Sequence, residues 1–599
     1  MLKKGYFTKA LSCLLILSMV FTLSGGIDVP VMAATNESTV VTYPLQSCDA
    51  VSEQLELTVN GQNVPIVKFM SNYDYCHFSF DGNAELIITV KNGTVGSYSI
   101  SPLALEVAGT VDGNQLRFTL EQSRYLIVKI GTLRDLVIAA DDLETDVPTP
   151  GAEGVFTITD ARYGADPSGA DLATEAIQRA IDDAAAYGSA EQPGVVYVPA
   201  GLFTFTSITL KSHVSLYLAG GAVLKASTDV SQYGKAMFHK NSVGMDGDWN
   251  ITTEPNSENV KLYGRGTVDG SGMELRYQKN RINHVIIPMQ CSGFTMDGIV
   301  VRDGALWTVV PVRCDHVTIT NTKHLNDVRD NTEDDAIDIV ECQDVLVRHT
   351  VAVSEDDTYS TKTWYEGTDI APNWAGSPEP VDNVVFDDCF AFTRCGGFKI
   401  GWGCYQPQSN VTFKNSYVFR CMFAVLVTMN YGDVPVKNVT FENIDVEGFW
   451  PKDTNRGRWL EFWVSGGCSG RAENILVKDI NIRTNNHIPS PLKGRNDTAC
   501  FDGVTLQNIT MPGANAPART LEEMHITDTN EFVKNVRILS MEGDVDENGS
   551  VNVADIVTLK GMIMDGNYTD AQLTLGDLNH NGKPDVGDIL AIKNIIMGQ

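Results

Sequence analysis

From residue 259 onward a short apolar strand returns again and again, often opened by an asparagine. Its copies are Asn259-Val-Lys-Leu, Phe294-Thr-Met, Val317-Thr-Ile, Val345-Leu-Val, Asn383-Val-Val-Phe, Asn410-Val-Thr-Phe, Asn438-Val-Thr-Phe, Asn474-Ile-Leu-Val, Val504-Thr-Leu and Asn535-Val-Arg-Ile, 23 to 39 residues apart. A unit this short cannot bury its own apolar face, so it must stack on copies of itself. All-strand repeats of this length predict a right-handed parallel β-helix over 152–540. Ahead of them Leu172, Ala176, Ile177, Ala180, Ile181 and Ala184 mark one face of a helix over 172–187 that stops at Gly188 and caps the open end. Cys291, Cys314 and Cys342 each stand three residues before a repeat strand. They should lie above one another at the strand spacing as small buried hydrophobes.

Residues 35–145 read differently. Leu55-Glu-Leu-Thr-Val, His77-Phe-Ser-Phe, Glu85-Leu-Ile-Ile-Thr-Val and Tyr125-Leu-Ile-Val-Lys-Ile alternate, with turns at Asn60-Gly, Asp81-Gly and Asp112-Gly between them. That spacing predicts a β-sandwich. Asp146-Val-Pro-Thr-Pro-Gly is a linker. The first 34 residues carry Lys3 and Lys4, an apolar run from Ala10 and a small-residue site at Ala33-Ala34. These predict a secretory signal peptide and a secreted, extracellular chain. No other apolar run is long enough to cross a bilayer. The main body is therefore expected to be all-β, with a small α-helical module behind it.

That module is 541–599, where one loop pattern occurs twice. Asp544, Asp546, Asn548, Ser550, Asn552 and Asp555 occupy positions 1, 3, 5, 7, 9 and 12 of the first loop. Asp577, Asn579, Asn581, Lys583, Asp585 and Asp588 repeat them 33 residues on, with Gly549 and Gly582 at position 6. This is the ligand spacing of EF-hand-type calcium loops, with position 7 offering its carbonyl, so two Ca2+ ions are expected. Each loop runs into a short apolar helix, and no entering helix is expected. The duplicated unit resembles a type I dockerin. The resemblance implies a cohesin domain of a scaffold protein as partner, with the pairs at Val553 and Val586 placed to govern partner choice.

The net charge of −30 argues against nucleic acid and anionic membranes, and it favours a neutral over a polyanionic glycan. Two acidic clusters lie one coil apart, Glu333-Asp-Asp335-Ala-Ile-Asp338 and Glu355-Asp356-Asp357. Stacking should set Asp335 beside Asp356 and Asp357. Carboxylates crowded on a rigid wall raise at least one pKa, as acid–base hydrolysis requires. The alternative is a calcium site or solvated turn on a non-catalytic carbohydrate-binding β-helix. A lyase would need a basic residue to take the proton, and no Arg/Lys cluster flanks the aspartates along the chain.

The stretch Asn331-Thr-x-x-Asp335-x-x-Asp338-Ile, then Asp356-Asp357-x4-Lys362, resembles the glycoside hydrolase clan of families 28 (polygalacturonase-like) and 49 (dextranase- and isopullulanase-like). Val196-Tyr-Val-Pro-Ala-Gly201, Leu218-Ala-Gly-Gly and Gly264-Arg-Gly-Thr-Val-Asp-Gly are similar to the same clan. The resemblance implies an inverting hydrolase of a polysaccharide, with Asp356 as general acid and Asp335 and Asp357 as bases. Lys362 would touch the sugar or tune the aspartates. Lys399 falls in the stretch Phe-Lys399-Ile-Gly-Trp402-Gly, which is similar to family 49. Trp364 and Trp402 are the leading sugar platforms; Tyr365, Trp374, Tyr405, Trp450, Trp459 and Trp463 are further candidates. Where family 28 has the bases that grip a uronate, this chain has Leu426-Val-Thr428. The expectation is accordingly a neutral glucan such as dextran or pullulan, with a pectin-active enzyme as the alternative.

Overall fold

The computed structural model describes residues 38–598 except 71–72, 329–332 and 451–455. The signal peptide and the Asn331-Thr332 opening of the first acidic motif lie outside the described residues.

The repeat strands stack as expected. A long parallel sheet runs from Val155–Thr157 to Arg537–Leu539, and a second from Ile337–Val340 to Asp528–Thr529. Val384, Val411 and Val439 are aligned in register, and so are Phe386, Phe413 and Phe441. Those three phenylalanines stack face to face, with centroids 4.7 and 5.1 Å apart. Each aromatic pair of this kind adds about 0.5–1.5 kcal/mol beyond its buried area.

The opening asparagines have a backbone cause. Asn383, Asn410, Asn438 and Asn474 all adopt φ between 53° and 55°, a left-handed conformation asparagine tolerates better than most residues. Their amides form a ladder, Asn438 donating to Asn410 at 3.0 Å and Asn474 to Asn438 at 3.3 Å. The cysteines stack too: the Cys291 amide meets the Cys314 sulfur at 3.5 Å and the Cys314 amide the Cys342 sulfur at 3.3 Å.

The capping helix is Thr174–Tyr187, and it buries Ala176, Ile177, Ala180, Ile181 and Ala184. Leu172 is not on it. That residue ends the strand Ser168–Leu172 and is 40% exposed. Ahead lies a sandwich of a six- and a five-stranded sheet around Leu57, Phe78, Leu86 and Ile138. One pairing in it is parallel, Tyr73–Phe80 with Asp135–Asp142. The outer face of that sheet packs through Tyr73, Tyr125 and Ile127 on Val351, Val353 and Phe390 of the β-helix.

At the far end two helices, Val553–Asp565 and Val586–Met597, close on Val545, Leu559, Met562 and Ile592. A further helix, Asp570–Gly576, leads into the second loop, contrary to expectation. It starts because Thr569 and Gln572 form a capping box, a pairing that satisfies two orphan amides.

Candidate active site and calcium loops

The second parallel sheet carries the acidic rung. Its successive strands are Ile337–Val340, Tyr359–Lys362, Gly396–Cys404, Phe423–Gly432 and Arg458–Val464. Parallel pairing aligns Asp338 with Ser360, Lys399, Leu426 and Glu461 in one column. Asp335 and Asp357 sit just ahead of the first two strands.

Lys362 draws this cluster together. Its ammonium bonds Asp335, reaches Asp338 at 2.9 Å and lies 3.8 Å from Asp357. It also sits 4.0 Å from the centroid of the Trp307 ring. Lys399 bonds Asp357 at 2.6 Å from the next strand. Asp335, Asp338 and Asp357 are almost wholly buried. Asp356 is partly exposed, its Oδ1 accepting the Asp357 amide at 3.0 Å.

Burial pushes the Asp335 carboxyl well above the usual range, with Asp338 adding to the rise and Lys362 opposing it. Burial also raises Asp338, against Lys362. Asp356 is raised by burial and then by the neighbouring Asp357 charge, with Lys399 pulling the other way. Asp356, Asp357 and Cys395 each bring one ligand atom within 4.8 Å of the others.

Gly396 makes room for this packing. A Cβ there would stand 2.5 Å from Asp357 Oδ1. That oxygen has no hydrogen-bond partner among the described residues. The group can therefore present one partly exposed, proton-retaining carboxyl beside an ion-paired one.

The two terminal loops share the bonds that run from backbone amides to their first and last carboxylates. In the first, the Asn548 and Gly549 amides donate to Asp544, and those of Asp546 and Asn552 donate to Asp555. In the second, Asn581 and Gly582 donate to Asp577, and Asn579 and Asp585 to Asp588. Gly549 and Gly582 take φ of 93° and 84°, which the sharp turn requires. Asp555 and Asp588 also close capping boxes with Asn552 and Asp585. One carboxylate at position 12 thus serves both the loop and the helix start. Oxygens of Asp544, Asp546 and Asp555 converge within 4.8 Å, and Asp544 and Asp555 are buried. Such a set of hard oxygen donors fits calcium.

Two family models match the chain. Residues 158–368 match "Rhamnogalacturonase A/epimerase, pectate lyase-like", and residues 542–597 match "Dockerin type I domain". The chain joins a pectate lyase-like β-helix to a type I dockerin. It is 28% identical over 375 residues to a probable polygalacturonase of Vitis vinifera, covering 58% of this chain and 73% of that protein. With the exo-poly-alpha-D-galacturonosidase of Dickeya chrysanthemi it shares 33% identity over 167 residues, 26% of each chain. Among solved structures, Dex49A from Penicillium minioluteum aligns at 12% identity with a TM-score of 0.49, covering 83% of this chain and 96% of that one.

Within the β-helix, the three expected aspartates gather on adjoining turns. Lys362 and Lys399 gather with them, buried in ion pairs; for Lys362 this is contact with the aspartates, one of its two expected roles, whereas Lys399 meets Asp357 where a sugar contact was expected. Trp402 is 45% exposed, with the Lys399 ammonium 5.1 Å from its ring centroid. Trp364 is partly exposed and meets Trp307 edge to face. Trp459 and Trp374 are buried and leave the list of platforms. The sequence reading missed Trp307 under Lys362. It also missed the buried Arg313–Glu341 pair, 2.7 Å apart, whose Glu341 accepts the Trp364 amide. Trp307 and Arg313 lie well ahead of the acidic motif, and Glu341, three residues after Asp338, falls outside the pattern that groups the aspartates.

In the dockerin, all twelve expected loop residues fall within the paired loops. The Ser550 carbonyl accepts the Asn552 side chain at 2.9 Å. Val553 and Val586 are exposed at the helix starts, together with Val557 and Leu590.

Proposed function

We propose that the protein is a secreted glycoside hydrolase that cleaves a pectic polysaccharide with inversion and is held on a scaffold by its dockerin. The observation that carries the reading is the lysine-bound aspartate group with Asp356 at its open edge. Asp356 keeps its proton through burial and the Asp357 charge, and it protonates the leaving oxygen. Asp357, ion-paired to Lys399, has an oxygen without a hydrogen-bond partner among the described residues and takes the proton of the attacking water, with Asp335 behind it. Lys362 and Lys399 hold this charge distribution. The polygalacturonase and galacturonosidase named among its relatives favour a uronic substrate.

A second reading, a neutral α-glucan, is favoured by the net charge of −30 and by Leu426 and Thr428 at the expected clamp positions. A reducing-sugar screen over polygalacturonate, pectins, dextran and pullulan, with product anomers followed by NMR, tests both. Release of the inverted anomer from polygalacturonate is expected. The retained anomer would remove the inverting assignment, and activity on glucans alone would favour the second reading.

Two calcium ions would be held by Asp544, Asp546, Asn548, Ser550, Asn552 and Asp555, and by Asp577, Asn579, Asn581, Lys583, Asp585 and Asp588. Calcium bound there would neutralise the crowded loop oxygens. The exposed apolar residues Val553, Val557, Val586 and Leu590 offer the surface for a cohesin. Chelation is expected to lower the helical circular dichroism signal and abolish cohesin binding while hydrolysis continues. Unchanged helicity after complete chelation would count against metal-coupled folding.

A further inference from the structure

Leu426 cannot be replaced by another clamp on its own strand. Phe423–Gly432 contains no lysine or arginine, and Leu426 is itself buried against Met422 and Phe423. The next strand differs. Arg458 opens it, Arg456 stands just ahead, and Glu461 follows on the column that contains Lys399 and Leu426. Glu461 lies 3.0 Å from Arg458 and shares its column with Lys399, while Arg456 stands two residues ahead of Arg458, so three cations belong to this corner of the sheet.

Two of the cations are already answered. Lys399 bonds Asp357 at 2.6 Å, and Arg458 lies 3.0 Å from Glu461. Arg456 is exposed and forms no ion pair among the described residues; its guanidinium touches only the Met422 sulfur, at 3.3 Å. Among the described residues the patch therefore keeps one positive charge without an ion pair, on a protein whose net charge is −30. Trp402 adds an exposed ring beside Lys399, where an apolar sugar face can stack.

We infer that Arg456 is a specificity-determining residue that binds the carboxylate of a uronic sugar beyond the scissile bond, toward the C-terminal rungs. It does the work of the base that Leu426 replaces. Glu461, fixed by Arg458 and by the Trp463 indole at 3.1 Å, accepts hydroxyls of the same sugar. A planar guanidinium suits this task because it grips a carboxylate through two parallel hydrogen bonds. The inference rests on the pectic reading proposed above.

The test compares wild type, Arg456→Gln and Arg456→Lys on polygalacturonate, fully methyl-esterified pectin and dextran. Arg456→Gln should raise KM on polygalacturonate roughly tenfold or more, the scale of a lost charge-assisted contact, with kcat nearly unchanged. The methyl ester should show no such change, and Arg456→Lys should recover part of the affinity. In parallel, calorimetry of trigalacturonate with Asp356→Asn should show binding that Arg456→Gln weakens by a similar factor. Equal losses on charged and esterified chains, or none on either, overturn the inference. Hydrolysis of dextran alone overturns it but spares the hydrolase reading, whereas hydrolysis of nothing removes both.

Discussion

Asp356→Asn should lower kcat/KM about a thousandfold, within the ~10²–10⁴ that a positioned proton donor contributes, while thermal unfolding stays at the wild-type temperature. Stability is spared because Asp356 is partly exposed and an asparagine oxygen can still accept the Asp357 amide. The loss is chemical, since an amide N–H is far too weak an acid to protonate the leaving oxygen. The pH profile adds an independent sign. Burial and the Asp357 charge raise the Asp356 pKa, so the protonated acid persists to higher pH than an ordinary carboxyl, and activity falls as pH climbs through that raised value. Lys399 works against the rise. Lys399→Met should therefore move the alkaline limb further up, even though it costs activity by freeing Asp357. Wild-type turnover in Asp356→Asn would end the assignment of the acid. A coincident loss of folding would assign it a structural role instead.

The repeat was legible because backbone geometry demands it. A left-handed residue opens each turn, asparagine tolerates that conformation, and an interior phenylalanine or valine follows at fixed offset. The calcium loops were legible for the same reason, since a fixed ligand register leaves few alternatives. Asp335, Asp356 and Asp357 could be grouped because the coil between them is short. Lys399 was harder to place: the excursion 363–380 separates its strand from Lys362, and only parallel register shows that it returns to Asp357. Arg456 and Glu461 lie two strands further on and match no motif around the aspartates. The helix Asp570–Gly576 carried a sequence signal that was passed over, Thr569 followed three residues later by Gln572.

Lys362→Met should damage the fold severely. The ammonium is buried and shared by Asp335, Asp338 and Asp357, none more than 2% exposed. Removing one partner of a buried ion pair leaves charge in a poorly solvated place, at a cost of about 3–5 kcal/mol. Methionine fills the space of the lysine stem, so the loss reports on charge rather than on a cavity. Its pH dependence follows from the raised pKa of Asp335 and Asp338, both driven first by burial. A carboxyl whose pKa rises on folding adds stability that is complete below its unfolded pKa and disappears as pH rises through the folded one. Among the described residues, Lys362 is the strongest opponent of that rise. The variant should lie closest to wild type under acid conditions and fall progressively behind toward neutrality. Thermal unfolding followed by tryptophan fluorescence across the acid-to-neutral range reads this directly. A constant deficit at every pH would mean that Lys362 contributes packing alone, and no deficit would mean that the aspartates are held by something else.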